Sequence, residues 1–437
     1  MDKSIQIPLD LPDVRVLEVS KTEEGFWLIR VESTLKGTSC RKCGKKLTHF
    51  HGFDKPIRLR HLPVFEQPVY IELKPKRYQC RSCKGKPTTT QRLSWYKLRS
   101  PNTLPYEKWL LRFLVNSTVV DVANKLSITE EAVTGVLNRW LTPSVNWERF
   151  QKIEILGIDE IALKRGHKDY VVLITTPLSV RGVEVLAVLP DGKKETVVKF
   201  FASIPIRLRN TILRVCTDMY LGFVNATREQ LPRAHIIIDR FHVARAYRNC
   251  ADRVRRVELK SLKQNLSKKE YARLKGAMWA FRKSPEQLND EEWELLQRLF
   301  RYSPKMKAAY ILREELTEIF DRLYDPKGAK CAIRAWCKRV RSSSISQFDS
   351  FLSTIETWLE SISNYFLERL TSSFVEGFNN RVKVLKRRCY GIFDGATPRR
   401  LTTLGNAPHV DIDRLFQRLT LDIHGYERFS LTDLHHI

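Results

Sequence analysis

The sequence predicts an α/β chain: a mixed core interrupted by an all-helical stretch and preceded by a cysteine-rich ribbon and a helical pair. Three observations lead there. Between residues 149 and 240, apolar runs of strand length alternate with segments of helical period. Residues 241–368 carry long amphipathic stretches rich in Lys, Arg, Leu and Glu, with no strand-like run. Two Cys-x-x-Cys pairs stand ahead of both regions.

Residues 1–100 form the first expected domain. Residues 14–19 and 26–31 are short runs rich in β-branched and aromatic side chains, and Glu24-Gly25 supplies a turn that lets them pair. Strand alternation returns at residues 69–74, between Cys40-Arg41-Lys42-Cys43-Gly44 and Cys80-Arg81-Ser82-Cys83-Lys84-Gly85. Thirty-six residues separate Cys43 from Cys80. Four thiolates in two such pairs are the donor set of a tetrahedral structural Zn²⁺ site holding one ion. A glycine within two residues of each pair permits the tight turn. Incidental cysteines of a reduced protein are the bland alternative, and two matched knuckles weigh against it. Cys216, Cys250, Cys331, Cys337 and Cys389 read as small buried hydrophobes.

Residues 101–148 form the second expected domain, where the period becomes helical. From Ser117 to Leu141 the pattern is a helix-turn-helix. Val119, Val122, Ala123 and Leu126 face inward, Ser127-Ile128-Thr129 turns, and Ala132, Val133, Val136, Leu137 and Trp140 line the second helix. Thr129 or Ser127 can cap that helix. Thr129, Glu130, Glu131 and Thr134 then lie where a recognition helix meets DNA bases. An ordinary helical hairpin is the alternative, and glutamates are poor neighbours for phosphates.

From residue 149 to 240 the expected order is three antiparallel strands, a helix, a strand, a helix and a strand, which is that of an RNase H-like core. Residues 241–368 insert helices into it, and 369–437 complete it with a second core segment. Asp159 ends the apolar run Ile153-Glu154-Ile155-Leu156-Gly157-Ile158, and Asp218 ends Ile212-Leu213-Arg214-Val215-Cys216-Thr217. Glu376 lies in a cationic helical stretch where Glu376, Asn380, Lys383 and Arg387 fall at i, i+4, i+7 and i+11, on one face. Carboxylates placed like Asp159, Asp218 and Glu376 hold two divalent ions, Mg²⁺ or Mn²⁺, about 3.5–4 Å apart in polymerases and nucleases. Singly, each acid could merely cap a strand or sit on a solvated face. Asp239 also ends an apolar strand and rivals them. With His242 it suggests a supporting or DNA-facing role, and a structural His–Asp contact is equally open. Glu160 is expected to point to the opposite face of its strand from Asp159. Trp279, Trp293 and Trp336 are expected in the core of the helical stretch, with stacking on a distorted base as the minor reading.

The charge supplies the partner. The chain of 437 residues has 43% hydrophobic and 29% charged residues, an ordinary globular balance, but a net charge of +27. Between Lys36 and Arg112, 19 Lys or Arg face 4 Asp or Glu, a local net of +15. Such local excess suits double-stranded DNA, because each cation set on a phosphate releases a condensed counterion. A cationic surface kept for solubility is the alternative. No cationic segment leads an apolar run at the start, and no stretch approaches ~18 consecutive apolar residues. Nine cysteines, an odd number, suit a reducing compartment. The expectation is a cytoplasmic, nucleoid-associated protein with no membrane partner.

The order of cysteine ribbon, helix-turn-helix, Gly157-Ile158-Asp159-Glu160, Asp218-Met219-Tyr220, Asp239-Arg240-Phe241-His242-Val243, Val375-Glu376-Gly377-Phe378-Asn379-Asn380-Arg381-Val382-Lys383 and Lys386-Arg387-Arg388-Cys389-Tyr390-Gly391 resembles the ISL-three group of bacterial insertion-sequence transposases. The resemblance covers nearly the whole chain. It implies a DDE transposase with Asp159, Asp218 and Glu376 as catalytic acids, N-terminal modules that bind terminal inverted repeats, and a homodimer or higher oligomer on DNA. Residues 393–410 depart from the group's pattern as an apparent insertion. A non-catalytic DNA-binding regulator and an RNase H-like nuclease remain the competing readings.

Overall fold

The structure, a computed structural model, describes residues 9–162, 170–178, 182–369, 380, 382–385 and 411–429. These fall into two compact units, one of residues 9–142 with 420–429, the other of 143–369 with 380, 382–385 and 411–419.

The first unit opens with nine strands: β1 (Val14–Lys21), β2 (Trp27–Ser33), β3 (Thr38–Ser39), β4 (Lys46–Leu47), β5 (Phe50–Phe53), β6 (Ile57–Val64), β7 (Gln67–Leu73), β8 (Lys76–Gln79) and β9 (Thr88–Thr90). A four-stranded sheet runs β1-β2-β7-β6, with β2 and β7 parallel and the other pairs antiparallel. Gly25, at φ +86°, takes the left-handed turn that lets β1 and β2 pair as a hairpin. Leu59, Val69, Ile71 and Leu73 alternate onto one face and bury against Trp95. The strand β6 was not anticipated: its inward-facing positions include His61 and Pro63, which break the apolar alternation. Pairs β3-β4 and β5-β8-β9 form two small sheets that carry the cysteines.

Three helices follow: α1 (Leu104–Leu114), α2 (Val119–Leu126) and α3 (Glu130–Trp140). Between α2 and α3, Ser127 adopts φ +48° and closes α2, while the Thr129 side chain accepts from the Ala132 amide and starts α3. The cap is therefore Thr129 and not Ser127. Val122, Ala123, Leu126, Val133, Val136 and Leu137 are buried as expected, against Leu110 and Leu114 of α1. Ala132, expected inward, is exposed, because it sits in the first turn of α3, ahead of the packed stripe.

A buried carboxylate ties α1 to α3. Glu107 is fully buried, accepting from Ser100 Oγ at 2.7 Å, Arg139 Nε at 2.8 Å and Trp140 Nε1 at 2.7 Å. His61 of β6 is buried too, with Nδ1 2.9 Å from Oγ1 of Thr103, the residue that caps α1. Burial holds this imidazole down at about 4, against the weaker opposing pull of the Leu9 backbone and Asp10.

In the second unit, β10 (Ile155–Ala162), β11 (Tyr170–Pro177) and β12 (Val183–Leu189) precede α4 (Lys194–Ser203), β13 (Arg214–Thr217), α5 (Leu221–Gln230) and β14 (His235–Ile238). The sheet order is β12-β11-β10-β13-β14. Strands β10, β13 and β14 are parallel to one another, and β11 and β12 join antiparallel. Leu156, Ile158, Val172, Ile174 and Val215 pack with Phe201 of α4 and Phe223 of α5. The helical stretch then comprises α6 (Arg240–Asn265), α7 (Asp290–Tyr302), α8 (Pro304–Asp321), α9 (Pro326–Ser342) and α10 (Asp349–Ser363), with α11 (Ile412–Arg428) beyond it. Trp336 and Trp358 are its buried tryptophans, and Trp336 donates Nε1–H to the Leu312 carbonyl at 2.9 Å. Trp279 and Trp293, expected in the core, are 61% and 43% exposed. Among the described residues, no helix is long and apolar enough to cross a membrane.

Replacing Glu107 with Leu strands Arg139 and the Trp140 N–H, so urea unfolding of the full chain should report a loss of about 3 kcal/mol; an unchanged midpoint would contradict this role. The His61 imidazole has its folded pKa below the unfolded value, so the unfolded chain takes the proton first. Stability present above about 6.5 should decline as pH falls towards about 4, by roughly 3 kcal/mol. His61→Gln should make that decline shallower in a pH series of melting curves.

Candidate active site and metal centre

The parallel register builds the site. Leu156 pairs with Val215 and Val215 with Ile236, and Gly157 pairs with Cys216 and Cys216 with Ile237. Two residues beyond these pairs come Asp159, still within β10, and Asp218 and Asp239, each the residue directly after its strand, so the register brings all three to the same end of three adjacent strands. Asp159 does not end its strand. Pairing with β13 stops at Gly157, whereas pairing with β11 carries β10 on to Ala162, with Asp159 opposite Leu173. The carboxylate thus projects from a strand held on one side only, half-exposed, its Oδ1 accepting the Glu160 amide at 2.8 Å.

Asp218 follows β13 directly, and its Oδ1 lies 2.7 Å from His242 Nε2. Asp239 is buried and caps α6, accepting the Phe241 amide at 3.1 Å. That cap sets His242 in the first helical turn, aimed back at Asp218. Burial pushes the His242 imidazole down, but its bond to Asp218 and the charges of Asp218, Asp159 and Asp239 outweigh this and raise it. One histidine therefore senses all three aspartates. Burial raises the Glu160 carboxyl, with the Asp218 charge adding to the effect, so Glu160 remains within electrostatic reach of the acids although it alternates with Asp159. Its Oε1 occupies space that a side chain at Gly192 would need, 2.5 Å from a Cβ there.

Carboxylate oxygens are donors for hard divalent cations, but among the described residues the four knuckle cysteines are the group of three or more ligand side chains whose donor atoms lie within 4.8 Å of one another, and the acids form no such group. Glu376 and Arg387 lie outside the described residues, as do residues 393–410. Asn380 and Lys383 are helical and exposed, and Lys383 Nζ donates to Asn380 Oδ1 at 3.5 Å, in keeping with a shared face. Sequence reasoning did not find which acid His242 serves, because the Asp-Arg-Phe-His block names Asp239 as its neighbour. The signal lay in Asp218 ending the adjacent strand.

The cysteines converge as expected. Sγ atoms of Cys40, Cys43, Cys80 and Cys83 all lie within 4.8 Å of one another. The Cys40–Cys83 and Cys43–Cys80 separations are 4.0 and 3.8 Å, near the ~3.8 Å edge of a tetrahedron with ~2.3 Å zinc–sulfur bonds. Gly44 and Gly85 take φ of +71° and +80° just past each pair, the turn a side chain would strain. Amides of Cys43 and Lys42 pull Cys40 down to about 6. Hydrogen bonds with Cys43 and Cys80 push Cys83 up to about 12. Four crowded sulfurs cannot all ionise alone, and a bound cation removes that conflict. Among the remaining described cysteines, Cys216, Cys250 and Cys337 are buried, but Cys331, expected inside, is exposed. Cys389 lies outside the described residues.

Comparison with known proteins gives the class. A DDE family model described as "Transposase" matches residues 156–397, more than half of the chain. A second, described as the zinc-finger of transposase IS204/IS1001/IS1096/IS1165, matches residues 36–83. The Bordetella parapertussis transposase for insertion sequence element IS1001 is 29% identical over 368 residues, 84% of this chain and 88% of that protein. The Mycobacterium tuberculosis (strain CDC 1551 / Oshkosh) transposase for insertion sequence element IS1557 is 23% identical over 376 residues, 80% and 82% of the two chains. The Drosophila P element transposase strand transfer complex aligns over 75% of this chain and 92% of that chain, with a TM-score of 0.37 and 10% identity. The protein is a DNA transposase, an enzyme that cuts and joins DNA. It belongs to the ISL3 (ISL-three) family of DDE transposases, with that family's zinc ribbon at its N-terminal side.

The purified chain should carry one zinc per polypeptide by elemental analysis. Cys40→Ser should lose the metal and free the remaining knuckle thiols to a thiol reagent; full zinc retention would contradict the four-sulfur site.

Proposed function

We propose that strand cleavage and strand transfer take place at the sheet end where Asp159 and Asp218 stand, with Glu376 as the third acid. The observation that carries this reading is the shared strand end of Asp159, Asp218 and Asp239 together with the His242–Asp218 bond. The order β12-β11-β10-β13-β14, with three parallel strands and an antiparallel pair, supports an RNase H-like core. In this reading residues 1–100 are the zinc-ribbon domain, 101–148 the helix-turn-helix and 149–240 the first part of the core. Residues 241–368 are the helical insertion, and 369–437 the second part of the core.

Two Mg²⁺ or Mn²⁺ ions held by such carboxylates lower the pKa of an attacking water or 3′-OH and stabilise the leaving oxygen. The chain's own residues do the rest. Asp159 offers its oxygens from within the sheet and Asp218 from the residue directly after β13, where its bond to His242 holds it. His242 holds one Asp218 oxygen and leaves the other for a cation. Asp239 spends Oδ1 on the α6 cap, which makes it a positioning residue: it fixes the helix turn from which His242 reaches Asp218. Asn380, Lys383 and Arg387 grip phosphates flanking the scissile bond.

The N-terminal zinc ribbon and helix-turn-helix bind the terminal inverted repeats, with Thr129, Glu131 and Thr134 at the start of α3 nearest the bases. Thr129 and Glu131 are exposed there, which suits readout. The active form is a homodimer or higher oligomer that pairs two ends in the bacterial cytoplasm, on nucleoid DNA.

Asp159→Asn should reduce Mg²⁺-dependent nicking of an inverted-repeat duplex to background, and joining of 3′ ends with it, while gel-shift affinity for the duplex stays at the wild-type level. Nicking that survives the substitution would remove Asp159 from the site.

A further inference from the structure

A cleft of about 1280 Å³ opens within the first unit, between the cysteine-bearing sheets, strand β6 and the segment that leads into α1. Its lining is cationic on every side. Arg41 and Arg77 enter from the cysteine-bearing sheets, and Lys55 and Arg58 from the β5–β6 turn and β6. Arg92, Lys97 and Arg99 come from the connecting segment. Asp54 is the acid among the lining residues, and Thr90 Oγ1 already donates to it at 2.6 Å. Arg41, Arg92, Lys97 and Arg99 are exposed and form no ion pair among the described residues. Arg58 shares Glu72 at 3.5 Å. Cations that so outnumber the acid in a concave site raise the local potential and attract a polyanion.

The hydroxyls point the same way. Thr88 Oγ1 accepts from the Arg77 guanidinium at 2.7 Å, and Thr89 Oγ1 accepts from the Arg41 amide at 3.2 Å. Each of those bonds uses a lone pair and leaves the hydroxyl proton to donate, as a phosphate oxygen requires. The start of α3 offers the opposite character. Glu130 and Glu131 are both exposed, and hydrogen bonds from its own backbone amide and from Thr129 hold the Glu131 carboxyl below the usual range, so it stays charged.

We propose that this cleft is the principal DNA-backbone site of the first unit and grips the phosphates of one duplex, while α3 contributes base readout with little affinity. The assignment rests on the reading that the N-terminal modules bind transposon ends, and it divides that binding between two surfaces. Phosphate contacts carry affinity and salt dependence without sequence preference, and base contacts carry discrimination.

The test is the salt dependence of full-length protein binding to two duplexes, one bearing the element's inverted repeat and one unrelated. Arg92→Gln with Arg99→Gln removes two cleft cations, and Lys21→Gln with Lys74→Gln removes the same charge from β1 and from the residue after β7, outside the cleft lining. The cleft variant should lower the slope of log K against log salt by about 1.8 on both duplexes, with zinc content unchanged and the preference for the inverted repeat retained. The control pair should leave the slope as it is. An unchanged slope in the cleft variant, or an equal fall in the control, overturns the cleft and leaves end binding standing. A wild-type protein without preference for the inverted repeat counts against the end-binding reading itself, and the slope difference still decides the cleft.

Discussion

The parallel pairing of β10, β13 and β14 is the constraint on which the proposed active site depends. Because side chains and hydrogen bonds advance in step along parallel strands, one register places Asp159, Asp218 and Asp239 at the same end of the three strands. A slip of one residue on any strand would turn its acid to the other face. Core packing opposes that slip, since the paired residues Leu156, Val215 and Ile236 are buried at the same time. The energy that positions the carboxylates is therefore hydrophobic, and His242 offsets part of the cost of gathering like charges. Asp239 shows how the sheet passes this order onward: as the cap of α6 it fixes the helix turn from which His242 reaches Asp218.

The cysteine centre solves a different problem. The sheets β3-β4 and β5-β8-β9 are short, and the local core comprises little more than Leu47, Tyr78 and the cysteines themselves. So small an apolar cluster cannot hold two knuckles together against chain entropy, and a metal supplies the missing free energy. Glycines at positive φ after each pair let the backbone turn back on the sulfurs. Once closed, these knuckles form one wall of a cationic cleft, so the metal supports a binding surface as well as a fold.

Much of this was legible in the sequence, for reasons that vary by element. Paired cysteines and strand-length apolar runs are local signals, and β1, β2, β7, β10, β11, β12, β13 and β14 all follow from them. Strand β6 escaped because His61 and Pro63 stand at inward positions where a strand pattern calls for apolar residues. Trp279 and Trp293 were misplaced because helical period shows that a residue shares a face, not whether another helix covers it. The bond from His242 to Asp218 joins residues adjacent in space through strand order, a property that no window of sequence contains. The basic cleft was visible only as a charge count: the excess between Lys36 and Arg112 points to a polyanionic partner, and the topology gathers part of that charge around one cleft.

The two kinds of charge favour the proposed division, in which affinity and chemistry are carried by different residues. A sheet end that carries aspartates repels phosphates, so it cannot also be the surface that gathers DNA. Its carboxylates help only when divalent cations lie between them and the backbone, a condition met at one scissile phosphate at a time. Capture must therefore come from arginines and lysines elsewhere, where each contact adds counterion release and demands no exact geometry. A chain of net charge +27 that keeps Asp159, Asp218 and Asp239 together is the outcome expected when weak, additive capture and demanding, local chemistry are assigned to separate residues.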